Sequence, residues 1–353
     1  MERLAVVVFN LGGPDEPDAI EPFLFNLFND PAIIGLPGIF RTLLAKFISW
    51  RRAPVARHIY SQIGGRSPLL EETEAQVDAL HKKISGLADE VKIFIAMRYW
   101  HPFSEATARE VRAFNPDRVI LLPLYPQFST TTTGSSLKEW DRAAKAVGLD
   151  TPTRAVCCYG CEEGYIEGLA KMVQPAIGQA EEQIGGGGQA RVLFSAHGLP
   201  EKIIAGGDPY QWQIEQTSAA VAEALARALG RPDLDWTVCY QSRVGPLKWL
   251  SPSLGDELER AGRDGVGVVV IPIAFVSEHS ETLVELDIEY RAMAEQQGVP
   301  AYVRVPALGE QDNFIGGLAR TVEACMIAGE GIDCQAGERR CPSGFSGCPL
   351  GGA

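Results

Sequence analysis

No hydrophobic run in this 353-residue sequence is long enough to cross a membrane as a helix. The longest, residues 266–276, falls well short of the roughly 20 apolar residues that a span needs. Basic residues are also in short supply, 32 Lys and Arg against 45 Asp and Glu, which leaves a net charge of −13. A surface that tracks phosphates needs the opposite sign, so nucleic acid is not an expected partner. No secretory leader is visible, because Met1, Glu2 and Arg3 run straight into an apolar, strand-like stretch. The dinucleotide-binding glycine pattern is missing too. Leu11-Gly12-Gly13-Pro14 follows a strand but lacks the G-x-G-x-x-G spacing, which counts against a dehydrogenase. Eight cysteines without a leader read as reduced thiols in the cytoplasm, serving as metal ligands or core rather than disulfides.

What is present is ordinary globular material, 46% hydrophobic and 22% charged, in a chain too long for one small core. Short apolar runs at 4–9, 91–97, 118–122, 191–195, 236–240 and 266–275 predict strands. Helical patterns are predicted at 22–29, 68–85, 104–114, 135–146, 165–184, 210–229, 280–297 and 314–328. Strands alternating with helices imply βαβ units and mostly parallel sheets, hence an α/β fold. The natural seam lies at 151–160, giving an N-terminal half over 1–155 and a C-terminal half over 156–307. A helix within 308–328 could join either half. The segment 329–353, with three cysteines among glycine, proline and charge, cannot build a core unaided.

Two segments carry chemistry. At 194–200 a strand ends in small residues and presents His197 beside Gly198, one of only five histidines. Ligands of open α/β sheets bind beyond the strands' carboxyl ends, where His197 would stand. At 271–283 a second buried strand empties into Glu278, His279, Ser280 and Glu281. Ser280 is a candidate N-cap, and acidic groups suit a first helical turn. Glu281, Glu285 and Glu289 then fall on one helical face. Such a row repels itself unless a cation uses it. It is either an ordinary solvated acidic face or a path for protons and hard divalent cations such as Fe²⁺ or Mg²⁺.

These two segments, together with "LPLYPQFSTTTTGSS" at 122–136, are similar to signatures of the ferrochelatases. So are "NLGGP" at 10–14, "IGGRSPL" at 63–69, "MRYWHP" at 97–102, "GDPY" at 207–210, "SEHSETLVELDIEY" at 277–290 and "QSRVGPLKWL" at 241–250. They occur in order over most of the chain. The resemblance implies two similar Rossmann-like halves with a porphyrin cleft between them, and insertion of Fe²⁺ into protoporphyrin IX to give protohaem. It implies His197 and Glu281 as the catalytic pair facing each other across the macrocycle and meeting the substrate iron. His279, Glu285 and Glu289 would line a proton or metal path. Arg52, Tyr60, Ser67 and Arg98 match family positions that hold propionates or line the site. Ile34, Leu36, Tyr99, Tyr125, Trp249 and Phe275 are candidates for the apolar slot a porphyrin needs, although each aromatic alone would also suit a core.

Insertion releases two pyrrole protons while Fe²⁺ enters, so the site needs a base, and neutral histidine can serve near physiological pH. A carboxylate opposite can strip water from iron or take a proton itself. The residues do not assign these tasks between His197 and Glu281.

Many ferrochelatases hold a [2Fe–2S] cluster on three tail cysteines and one internal cysteine. Cys334, Cys341 and Cys348 supply the tail set. Thr130 stands where one branch of the family has its internal ligand, which moves the expectation to Cys158, with Cys157 and Cys161 as rivals and zinc as the competing metal. Cys239 and Cys325 read as core. Residues 38–52 mix Ile39, Phe40, Leu43, Leu44, Phe47 and Ile48 with Arg41, Lys46, Arg51 and Arg52, an interfacial pattern that predicts peripheral contact at the inner face of the membrane. The apolar lip favours protoporphyrin over coproporphyrin. Monomer and homodimer both stay open. The rival readings are a cobalt chelatase on the same fold and a non-catalytic tetrapyrrole or iron–sulfur binding protein.

Overall fold

From Leu4 onward every residue of the first strand is buried, as expected of a parallel strand covered on both faces. The computed structural model describes residues 1–243, 245, 247–334 and 339–351. In chain order its elements are β1 (Arg3–Asn10), a 3-10 helix (Pro17–Ala19), α1 (Ile20–Phe28), α2 (Gly38–Ser61), α3 (Leu69–Ile84), β2 (Glu90–Met97), α4 (Ser104–Phe114), β3 (Arg118–Pro123), α5 (Thr133–Val147) and β4 (Thr153–Val156). There follow α6 (Glu163–Ile184), β5 (Ala190–His197), α7 (Glu201–Ala205), α8 (Tyr210–Leu229), β6 (Trp236–Gln241), α9 (Leu254–Asp264) and β7 (Gly267–Pro272). A π-helix (Glu281–Tyr290), α10 (Arg291–Gln296), β8 (Tyr302–Arg304), α11 (Asp312–Ile327) and β9 (Gly331–Asp333) complete it.

The chain divides into two compact units. Unit one comprises Met1–Cys158 with Leu318–Arg340, and unit two Tyr159–Gly317 with Cys341–Ala353. Unit one holds a five-stranded sheet in the order β2-β1-β3-β4-β9 and unit two a four-stranded sheet in the order β6-β5-β7-β8. Every pairing is parallel. Phe9, Phe94, Phe114 and Trp140 fill the core between one face of the first sheet and α4 and α5. Leu193, Leu254, Leu258, Val268, Val270 and Leu286 do so in unit two. All of the strands expected from the apolar runs form. β4, β8 and β9 were not expected; at three or four residues each they lack a readable run. The helices α7 and α9 were also unforeseen, α9 being marked by a capping box on Ser253 and Asp256.

Two expectations need correction. The stretch after β7 is not an α-helix at its start but a ten-residue π-helix, Glu281–Tyr290. Ser280 does not cap it: its backbone is already helical and its side chain makes no capping bond.

Candidate active site

β5 is flanked on both sides, by β6 and β7, so its carboxyl end lies in the middle of the unit-two sheet. His197 is its last residue and stands level with Gln241, the last residue of β6. Gly198 turns the chain there. Its N–H donates to the Gln241 carbonyl at 2.8 Å, and a Cβ on Gly198 would lie 2.8 Å from that same oxygen. Only glycine allows this approach. From the start of α8, Tyr210 donates its hydroxyl to the His197 carbonyl at 3.1 Å.

β7 ends at Pro272, and the chain returns to the same strand ends at the π-helix. Glu281, its first residue, places Oε2 2.9 Å from His197 Nδ1, so the two meet directly and do not face each other across a macrocycle as the resemblance implied. His279 Nε2 stands 3.8 Å from the same oxygen. The His279 ring packs on Phe275, centroids 4.6 Å apart, and its Nδ1 is buried without a hydrogen-bond partner. Glu285 is held by Gln241 and Ser242. Gln241 Nε2 donates to the Glu281 carbonyl at 2.9 Å and to Glu285 Oε2 at 3.1 Å, while its Oε1 accepts from Ser195 at 2.8 Å. Ser242 adopts the left-handed backbone, φ 61. Its N–H and hydroxyl thereby both reach the Glu285 carboxylate, at 2.7 and 2.5 Å. A non-glycine residue in that region stores strain, as functional sites often do. Glu289 is exposed.

The His197 and Glu281 side chains are each about one-third exposed, at 37% and 32%. Burial acts against both charges, and in each case the partner prevails. Burial lowers the His197 pKa, but Glu281, with help from Glu285, raises it above the ordinary imidazole value. Burial raises the Glu281 pKa, but His197 and His279 hold it well below the ordinary carboxylate value. Burial and the Glu281 charge raise Glu285, with Ser242 and Gln241 opposing them. The arrangement is a hydrogen-bonded imidazole–carboxylate pair in which each group favours the other's charged form, with a second carboxylate of raised proton affinity behind it. Trp249, which pairs with Pro200 through a β-bridge, flanks Gly198 and has a buried indole N–H without an acceptor.

The other expected site residues belong to unit one. Arg98 donates through Nη2 to Asp30 at 2.9 Å and through Nε to Ser135 at 2.8 Å. Asp30 also accepts from Tyr99 at 2.8 Å and Ser135 at 2.5 Å. Tyr99 and Tyr125 are buried, and burial raises both phenols. Tyr60 packs with Ile20 and Leu24. The Arg52 guanidinium lies over Phe28. Ser67 donates its N–H to the Pro14 carbonyl, and Ile34 closes a turn on the Asp30 carbonyl. Leu36 is exposed.

Asp30, Ser135, Tyr210, Gln241 and Ser242 were not assigned from sequence, although Ser135, Tyr210, Gln241 and Ser242 stand inside the quoted blocks. Their roles come from strand neighbours and backbone conformation, which no spacing reveals.

Cys239 and Cys325 are buried as expected of core. Cys158 falls in unit one with Cys334, and Cys341 and Cys348 fall in unit two. The three tail thiols are buried, and Gln213 Nε2 donates to Cys341 Sγ at 3.1 Å. Phe345 stacks near Trp212, and the Gly347 N–H donates to the Gly207 carbonyl. Among the described residues, no group of three or more His, Cys, Asp or Glu is assembled as a metal centre.

The sequence matches the ferrochelatase family profile over residues 3–326. It is 54% identical over 350 residues to the ferrochelatase of Caulobacter vibrioides (strain NA1000 / CB15N), covering 99% of this chain and 97% of that one. To the ferrochelatase of Phenylobacterium zucineum it is 55% identical over 319 residues, covering 90% of each. Among solved structures, SirB from Bacillus subtilis with Fe3+ is similar at a TM-score of 0.49 and 14% identity, covering 91% of this chain and 94% of that one. The chain belongs to the ferrochelatase family.

Proposed function

We propose that the chain inserts ferrous iron into protoporphyrin IX, releasing two protons and forming protohaem. Membership of the family supports the reaction, and the 2.9 Å pair of His197 Nδ1 and Glu281 Oε2 at the carboxyl ends of the sheet carries the assignment of residues. Metal insertion removes both pyrrole N–H protons, so the site must accept protons where a dication arrives. His197, whose proton affinity Glu281 raises, is the stronger base for that task once it is neutral. Glu281 offers the dication a carboxylate, and Glu285 and Glu289 continue the path towards solvent. Two protons leave in each turnover, and the coupled carboxylate–imidazole set passes them on in turn rather than storing both on one residue. Trp249 and Phe275 supply apolar surface for the macrocycle beside this pair. Within unit one, Ile34, Arg52, Tyr60, Ser67, Arg98, Tyr99 and Tyr125 stay candidates for porphyrin contact by the family resemblance, and Asp30 and Ser135 hold the Arg98 guanidinium.

The test is anaerobic turnover of Fe²⁺ with protoporphyrin and with coproporphyrin, followed by metalloporphyrin absorbance. His197→Ala should lower kcat by about 10²–10⁴. An unchanged rate would remove His197 from the mechanism.

The second part of the reading is a [2Fe–2S] cluster on Cys158, Cys334, Cys341 and Cys348. The donor chemistry fits: the tail thiols are buried, and the Gln213 amide supplies a hydrogen bond of the kind that stabilises a ligating thiolate. When bound, the cluster supplies thiolate–iron cross-links that order the tail. Visible sulfur-to-iron absorption with iron and sulfide in equal amounts is expected of anaerobically isolated protein; zinc in its place would overturn this part.

The third part is peripheral membrane contact through α2. Ile39, Phe40, Leu43, Phe47 and Trp50 are 59–79% exposed beside Lys46 and Arg51. Among the described residues no helix is long and apolar enough to cross a membrane, so this face would lie in the interface.

A further inference from the structure

The π-helix that carries Glu281 and Glu285 is anchored on two sides, and only one of them is accounted for by the site. On the inner side Gln241 and Ser242, at the end of β6, hold the Glu281 carbonyl and the Glu285 carboxylate. On the outer side stands Arg304, the last residue of the edge strand β8, in register with Val270 of β7. Its side chain is only 8% exposed, and all three guanidinium nitrogens are engaged. Nε donates to Asp287 Oδ1 at 2.9 Å and Nη2 to Asp287 Oδ2, a bidentate fork. Nη1 donates to Glu278 Oε1 at 2.5 Å. One side chain thus joins a residue before the π-helix to one in its second half, with Glu281 and Glu285 between them in the chain.

A π-helix is a strained form that persists where its surroundings hold it, and the same outer side shows how. Tyr302, also on β8, donates to the Leu286 carbonyl at 2.8 Å. Arg291 reaches the Asp287 carbonyl at 3.1 Å and the Tyr302 carbonyl at 3.0 Å. We propose that Arg304 is a positioning residue for iron insertion, clamping Glu278 and Asp287 so that the π-helix presents Glu281 and Glu285 to His197. It touches no substrate and acts through the helix. Lysine replaces it only in part, because a compact ammonium lacks the planar fork that grips the Asp287 carboxylate bidentately while reaching Glu278.

This inference rests on the assignment of Glu281 above. Arg304→Gln, Arg304→Lys and Glu281→Gln should therefore be measured together, with kcat and KM for porphyrin and for Fe²⁺, porphyrin binding stoichiometry by fluorescence quenching, and thermal midpoint. For Arg304→Gln, kcat per porphyrin-binding molecule should fall at least tenfold with porphyrin KM within twofold of wild type. Arg304→Lys should lie between the two. A folded Arg304→Lys protein with wild-type kcat overturns the clamp, as does an Arg304→Gln loss that merely tracks the unfolded fraction. Should Arg304→Gln fail to fold, Arg304→Lys, which keeps the charge between the two carboxylates, decides alone. Wild-type turnover by Glu281→Gln would instead overturn the site assignment, whereas its loss with both Arg304 variants at full rate would sink only the clamp.

Discussion

His197 and Glu281 set each other's proton affinity, and that coupling gives the site a pH signature. The raised His197 contributes stability that is complete below its unfolded value of about 6.5 and is lost as pH rises through the higher folded value. The depressed Glu281 contributes stability present above about 4.3 and lost as pH falls through its lower folded value. Their contributions coincide between roughly pH 4.3 and 6.5. The difference in thermal midpoint between wild type and Glu281→Gln should be largest in that window and shrink on both sides. Activity runs the other way, because a base must be neutral to act. The kcat/KM profile should rise with pH through a value above that of ordinary imidazole, and Glu281→Gln should move it down. A profile unmoved by that substitution would mean that His197 titrates outside the rate-limiting step. Both positions stood out in the sequence because each follows a buried apolar run and breaks its pattern, but it was the family resemblance that joined them as a pair. Gln241 and Ser242 did not stand out, since neighbouring strands place Gln241 and a left-handed φ aims Ser242.

Among the elements, the β5-to-loop turn is the least forgiving. Gly198→Ala forces a Cβ against the Gln241 carbonyl at 2.8 Å, and overpacking of this kind costs about 1–3 kcal/mol. Urea denaturation should show that loss together with slower turnover, because Gln241 also carries Glu281 and Glu285. Ser253→Ala removes the α9 capping box at a cost of about 1 kcal/mol; it should leave kcat unchanged, and a matching fall in rate would show that α9 reports to the site. For α2, flotation with anionic vesicles should carry wild type upward and leave Phe40→Ser/Phe47→Ser behind. Equal flotation of the two would remove the membrane reading. Apolar periodicity located the helix after β7, yet it could not distinguish i→i+4 from i→i+5 bonding. The carboxylates at 281 and 285 share a face in either form, so the row was readable while its geometry was not. The short strands β8 and β9 were hidden for a simpler reason: three residues carry no alternation.

At the scale of the whole molecule, the order of the strands required pairing information that no local pattern holds. The tail was read as a segment unable to build a core, and its described residues pack on elements outside it. Residues 331–333 add β9 to β4, where Asp333 pairs with Arg154 at 2.7 Å. The stretch from Cys341 to Cys348 leans on α8 through Gln213 and Trp212. If a cluster secures these thiols, bleaching it should lower the thermal midpoint and leave kcat per folded molecule intact. A midpoint that ignores the loss of iron and sulfide would deny the cluster its ordering role. β9 also determines what an undone tail would expose. It is the outer strand of the unit-one sheet and is three residues long, too short to recruit a foreign strand. Stripping it away bares the unpaired amide and carbonyl row of β4, an adhesive edge. A chain whose tail has come loose should then aggregate more readily, so the yield of folded protein is expected to fall before the kcat of the surviving copies does.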